Sequence, residues 1–354
     1  MDDVTMTVSP DPSPPRLASP ARSEMAPAPG SGRHAVQIAG LLLVVAILAA
    51  IPALKPGYRF LSVATSTGIS TIALYGLSIL FGQAGIMSVG HAALMGVGAY
   101  AAAILARDAG IGFWLALPFS TLLSAAVAGL LGLPSLRVGG HHFVIITFAF
   151  CGLLTIILIN GGSFTGSATG LDLDPIPAVL GVNFGALQNI YELVIAFLGL
   201  SIAATYAIRA SAYGRTLRAI RENEQLARST GINTGFHKIG AFMVSGAFAG
   251  LAGLLQAYFL GHISPDLYGA FPSIYLALMV MLGGPRALYG PLGGALIVYF
   301  LPEMLRLDPV DARIAYGVGL IAVILLLPGG VVAGVASLFG WILDRRSRTA
   351  GADG

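Results

Sequence analysis

From residue 34 onward the chain is a succession of apolar runs, most of them near twenty residues long, parted by short polar breaks. A helix of roughly 20 residues crosses a hydrocarbon core of about 30 Å. Few folds fit that repeat, because in lipid each backbone N–H and C=O must be satisfied internally, as a helix does. The runs fall at 35–54, 60–81, 86–106, 112–133, 142–160, 189–208, 239–260, 271–284, 287–302 and 313–329. The expectation is an all-α, polytopic membrane helix bundle of about ten transmembrane segments. The eighth and ninth runs are short, and Gly283-Gly284-Pro285-Arg286 separates them. They read either as two tilted spans or as one broken, re-entrant element.

Composition excludes a soluble globule. Of 354 residues, 56% are hydrophobic and 10% charged, against about 25% charged in soluble domains. There is too little polar surface to cover so large a core. The 47 glycines suit helices that pack closely in lipid. The net charge of +3 is mild, and no Lys/Arg cluster interleaved with aromatics points to nucleic acid. The single cysteine, Cys151, lies in an apolar run and reads as a small buried hydrophobe.

Residues 1–33 are rich in Pro, Ser, Ala and Asp. Such a segment buries too little to offset its ordering entropy and is expected to be a disordered cytoplasmic tail. It lacks the basic start and apolar stretch of a signal peptide, so the first span is expected to direct insertion. Orientation follows from the Lys/Arg bias. Segment 209–238 carries Arg209, Arg215, Arg218, Arg221, Arg228 and Lys238 against Glu222 and Glu224, and is assigned to the cytoplasm. The tail 344–354, with Arg345, Arg346 and Arg348, is assigned there too. The 161–188 loop has Asp172 and Asp174 but no Lys or Arg, and is assigned to the outside. Both termini are then cytoplasmic; Lys55 and Arg59, which fall outside, run against the rule.

The most informative stretch is 213–231. Leu217, Ile220 and Ala227 recur at helical spacing on one side. Arg218 with Glu222, and Glu224 with Arg228, are set as i,i+4 pairs on the other. Gly231 fits the end of the helix. This is an amphipathic helix that either lies on the headgroups or docks on a partner as a coupling helix. The chain has no G-x-x-x-x-G-K-[ST] loop of its own.

The same stretch, from Gly214-Arg215 through Arg221-Glu222-Asn223-Glu224 and Ala227 to Gly231-Ile232-Asn233, resembles the cytoplasmic signature of the branched-chain amino acid ABC transporter permease family, in its LivM-type subunit. Further matches run in order. Gly82-Gln83-Ala84-Gly85 leads into Ser88-Val89-Gly90-His91; Phe143–Ala149 resembles a central span; Thr165–Leu171 resembles an external loop; Ile263-Ser264-Pro265 and Leu282–Pro291 resemble late motifs. Departures are Ser167-Ala168-Thr169 in the loop, Pro285-Arg286 where the family usually has Gly, and His141-His142.

The resemblance implies that 34–343 is a permease domain importing leucine, isoleucine or valine across a bacterial inner membrane. It implies no cofactor on this chain, with ATP hydrolysed by two separate ABC ATPase subunits. The other partners it implies are a second permease subunit and a periplasmic or lipid-anchored binding protein. Coupling to the ATPase is then expected at Gly214, Arg215, Arg218, Arg221, Glu222, Glu224, Ala227 and Gly231. A urea or short-amide permease of the same class is the alternative. An ion-coupled secondary transporter would need buried carboxylates in its spans, and almost none occur. No H-E-x-x-H or nucleophile elbow suggests an enzyme.

Candidates for the substrate pathway are Gln83, Ser88, His91 and Thr147. A polar ring at membrane depth needs an interior partner, so His91 either lines the path or bonds another helix. Thr147 either lines the path or bonds back to its own helix. Gly82, Gly85, Gly90, Gly96 and Gly98 read as packing positions or as an unwound segment. An unwound end would offer backbone groups to a carboxylate. His141 and His142 read as interfacial, and no third ligand completes a metal site. Asp172, Asp174 and Glu192 are placed in outer solvated loops, and Glu303, Asp308, Asp311 and Arg313 in an outer ion-paired cluster. Arg286 is expected to reach headgroups or a carboxylate.

Overall fold

A computed structural model describes residue 40, residues 43–54, 57–138, 140–177 and 184–300, and residues 314, 317 and 318. The expected tails, the span at 313–329 apart from residues 314, 317 and 318, Lys55, and the cluster Glu303, Asp308, Asp311 and Arg313 lie outside the described residues. So does the side chain of His141. Part of the expected first span is described, and residues 43–50 are helical.

Ten helices follow in order among the described residues after that first segment. α1 (Tyr58–Ser78) runs on through a wide π turn, Ile79–Gln83. α2 is His91–Ala109, α3 Phe113–Val138, α4 Gly140–Asn160 and α5 Leu187–Ala210. Two short helices, α6 (Ala212–Glu222) and α7 (Glu224–Ser229), precede α8 (Thr234–Leu260). A 3-10 turn, Pro265–Tyr268, leads into α9 (Ala270–Gly283). α10 (Gly290–Ala295) continues through a π turn to Phe300. Seven of these segments are long and apolar enough to cross a membrane, and Gly290–Phe300 is a shorter apolar helix. The molecule is an all-α polytopic bundle.

α8 is the central post, packed on α3, α2 and α1. Small residues let it in. Gly250 approaches Gly98 of α2 and Ser124 of α3; Gly253 lies on the backbone of Met95; Gly246 faces Ala128. A side chain at any of these glycines would push two backbones apart. The opposite character appears on α3, where Leu115, Phe119, Leu122 and Leu130 are exposed along one helical stripe. In water such a stripe is a liability; against acyl chains it is the expected surface.

Four features differ from the sequence reading. The third span does not begin at residue 86: residues 85–90 are not helical, and α2 starts at His91. The amphipathic helix is not continuous, because Asn223 (φ −154°) breaks it into α6 and α7 and its side chain accepts from Leu226 N at 3.0 Å. The expected Arg218–Glu222 pair is not formed, since Arg218 turns toward the bundle. And a two-residue antiparallel ladder, β1 (Leu171–Asp172) with β2 (His262–Ile263), ties the 161–177 loop to the end of α8. Asp172 and His262 add a 2.7 Å side-chain contact there.

The eighth and ninth runs form two helices joined by a turn, an arrangement that either expected form shares. Gly283 lies against Gly290 and Gly294, and Gly294 against Met279, so α10 folds back antiparallel on α9. Their connecting turn sits beside α6 and the end of α1. That basic end of the bundle opposes the end carrying the two-stranded ladder.

Candidate functional site

Two linked structures stand out: a break between α1 and α2, and a collar of arginines that holds it. The break follows from local chemistry. Gly85 adopts φ +72°, which a side chain resists, and Gly90 is non-helical (φ −111°, ψ 10°). The backbone groups freed by the break still need partners at membrane depth.

Side chains from other helices supply them. Val89 N donates to Thr147 Oγ1 (3.2 Å) from α4, and Ala92 N to Ser273 Oγ (3.0 Å) from α9. Gly90 N donates to Ser88 Oγ (3.3 Å). Cys151 Sγ donates to Val89 O (3.3 Å) and contacts Ser273 Oγ at 3.2 Å. His91 closes the set, with Nδ1 3.2 Å from Ser88 Oγ and Nε2 2.5 Å from Ser245 Oγ on α8. A neutral imidazole donates at one nitrogen and accepts at the other, and a serine hydroxyl serves either role. His91, Ser88, Thr147, Ser245 and Ser273 are all buried. The exposed N-terminus of a half-helix is therefore largely satisfied within the protein.

The collar grips the other edge of the break. Arg221 Nη1 donates to Gly82 O, and Arg218 Nη1 donates to Gln83 Oε1 (2.9 Å) and Arg209 O (2.9 Å). Arg209 donates to Arg286 O (3.1 Å), Pro285 O (3.2 Å) and Ser78 Oγ (3.3 Å). One knot thus joins the end of α1, the end of α5, α6 and the α9–α10 turn. Burial and then the charge of Arg286 lower the pKa of Arg221; Glu222, 3.9 Å away, opposes this, and Arg218 adds to the lowering. An arginine stays charged regardless.

The other residues of the basic segment fix its shape. Gly214 packs on the last carbonyls of α5, and its N–H meets Ser211 Oγ (3.2 Å). Arg215 Nη1 reaches Ala210 O (3.0 Å). Leu217, Ile220 and Ala227 are buried, on the side expected. Gly231, φ +86°, ends α7 with two bonds, Gly231 N to Arg228 O (3.0 Å) and Ile232 N to Ala227 O (3.1 Å), the Schellman pattern. Glu224 receives Lys238 Nζ (2.5 Å), Arg228 Nη2 (2.8 Å) and Thr234 Oγ1 (3.1 Å). Burial pushes its carboxyl up, but these donors outweigh burial and leave its pKa below the ordinary value. Leu226 stays exposed at 62%.

Of the four pathway candidates, Ser88 and His91 touch, and Thr147 joins them through Val89; Gln83 goes instead to the collar. Thr147 also makes the back-bond to its own helix, to Val144 O (3.0 Å). The sequence reading did not single out Ser245 or Ser273, although a hydroxyl inside an apolar run is itself a signal at membrane depth. Arg209 was read only as a topogenic charge. Arg286 pairs with no carboxylate among the described residues, and its side chain is exposed. Asp174 is exposed, as are Asp172 and Glu192.

No solved structure matches the chain. Among curated proteins it is 30% identical over 267 residues to the high-affinity branched-chain amino acid transport system permease protein LivM of Salmonella typhimurium, covering 69% of this chain and 63% of that one. The Escherichia coli LivM matches to the same extent. The chain thus spans less than two thirds of the length of these relatives. The ribose import permease RbsC of Haemophilus influenzae is 25% identical over 296 residues, 79% of this chain and 88% of that one. A family model described as the permease component of a branched-chain amino acid transport system matches residues 59–328. A helix bundle of this kind, matched by that model over most of its length, belongs to the family of branched-chain amino acid transport permease components.

Proposed function

We propose that this chain is the permease subunit of an ABC importer that carries leucine, isoleucine or valine inward across a bacterial inner membrane. The observation that carries the reading is the pair of bonds from Arg218 and Arg221 to Gln83 and Gly82. They tie the basic segment to the edge of the break between α1 and α2. With the basic end cytoplasmic, as the charge bias indicates, ATPase subunits would press on α6 and α7. Exposed Leu226 and Gln225 are the contact points. A rigid helix tied to carbonyls transmits displacement; a helix resting on headgroups does not. The non-helical segment 85–90, held by hydroxyls that exchange partners readily, is the part that yields.

The chemistry around the break suits a weak transit site. Ser88, His91 and Thr147 present donors and acceptors without a fixed charge, among apolar walls. No Asp or Glu is buried among the described residues, which leaves an ion-coupled cycle without its usual carriers. A binding protein outside would do the selecting, and a second permease subunit would complete the path.

The substrate is tested by uptake into vesicles holding the assembled transporter, with labelled leucine, ribose and urea side by side. Leucine uptake that depends on ATP, with ribose and urea excluded, is the expected result. Ribose uptake would favour the kind of solute named for the RbsC relative; uptake that ignores ATP would end the importer reading. A cysteine at Gln225 should crosslink to the ATPase subunit.

A further inference from the structure

Away from the break, the outward half of the bundle holds polar atoms that nothing among the described residues satisfies. Tyr100, on α2, and Tyr268, in the Pro265–Tyr268 turn, are buried, at 3% and 1% exposure. Their rings meet edge to face with centroids 6.2 Å apart. Neither hydroxyl has a hydrogen-bond partner among the described residues, not even the other. Buried tyrosines ordinarily find one, because an unmade bond at depth carries the full desolvation cost of the group.

Their placement is built. Gly96 leaves room for the Tyr268 side chain to lie directly on α2, against its Cβ and Cγ, and Tyr100 stands one turn further along the same face. Tyr100 is nine residues beyond His91, about 14 Å outward along the helix axis. A third such atom lies at the same height. α2 and α8 run in the same direction, with His91 meeting Ser245; the same offset sets Gln256 level with Ala102. Gln256 Oε1 is also buried without a partner. Asp266, two residues before Tyr268, is exposed on the outer side of that turn.

We propose that Tyr100 and Tyr268, with Gln256 at their level, form an outward subsite for the zwitterionic head of the transported amino acid. The two phenols donate to its carboxylate, and such charge-assisted bonds are stronger than neutral ones. The Gln256 carbonyl accepts from its ammonium. Two donors and one acceptor complement that head, while the surrounding apolar wall accommodates an aliphatic side chain. The subsite is closed in this conformation and opens when the Pro265–Tyr268 turn parts from α2. It precedes the break on the way in, so solute reaches it before His91. The inference rests on the branched-chain amino acid reading above.

The test uses the complete transporter, assembled with its partner subunits, in vesicles. The double variant Y100F/Y268F keeps the rings and removes the hydroxyls. Leucine uptake should fall at least tenfold while assembly with the ATPase subunits and basal ATP hydrolysis are unchanged. Uptake equal to the parent's would overturn the subsite. If the parent itself moves no leucine but moves another solute, the substrate reading fails instead, and the subsite with it. A second measurement keeps the hydroxyl: 3-fluorotyrosine placed at position 268, followed by fluorine NMR. Its resonance should move on titration with leucine and stay still with isopentylamine, which lacks the carboxylate. A resonance that leucine leaves unmoved would overturn the proposal even if the double variant failed to assemble.

Discussion

A histidine at membrane depth persists only where both ring nitrogens are engaged, and His91 meets that condition through Ser88 and Ser245. Replacing it by alanine removes both bonds, strands the Ser245 hydroxyl and opens a cavity. The expected cost is about 3 kcal/mol, read as a lowered unfolding midpoint in detergent; His91→Gln should recover part of it. Such a role was half legible in the sequence: the polar ring in an apolar run demanded a partner, but nothing local pointed to Ser245, 154 residues away. Glu224 makes a different test. Its pKa is depressed in the fold, so its contribution is in full force above the unfolded value of about 4.3 and is lost as pH falls through the lower folded value. Protection against hydrogen exchange across 224–234, measured relative to the intrinsic rate at each pH, should be high at pH 6 and should fall below about pH 4; in Glu224→Gln that pH dependence should be flattened.

At the scale of elements, apolar length was readable and local breaks only in part. Lipid imposes a length of run, so α1, α3, α4, α5 and α8 fall close to their expected positions. The break at 85–90 was half legible: the glycines from Gly82 to Gly90 admit an unwound segment, but Ile86, Met87 and Val89 continue the apolar pattern into α2. The cut at Asn223 carried a usable sign, since Asn before a charged turn is a favoured N-cap. Asn223→Ala should cost about 1 kcal/mol and loosen α7, seen as faster exchange at Leu226 and Ala227. The β1–β2 ladder could not be read, as each strand is two residues long and they pair across 90 residues. Helix packing offers a harsher test. Gly253→Leu would drive a side chain into the Met95 backbone and should cost at least about 1–3 kcal/mol, seen as reduced accumulation of folded protein in the membrane.

Across the whole molecule, the collar makes the basic segment and the break one mechanical unit. Arg209, Arg218 and Arg221 draw α1, α5, α6 and the α9–α10 turn together, while the Ser, Thr and Cys side chains of α4, α8 and α9 hold the far side of the break. A push on α6 would therefore be passed to Gly82 and Gln83 as well as to α5 and α8, on which it packs. The two ends of the molecule also differ in character: the ladder and the Pro265–Tyr268 turn lie at one, and the arginines at the other.

The most direct test of that linkage is the ratio of leucine imported to ATP hydrolysed by the assembled transporter carrying R218Q/R221Q. The linkage predicts that ATP hydrolysis and subunit assembly persist while import falls at least tenfold, so the ratio collapses. An import ratio equal to the parent's, with the same assembly, would contradict it.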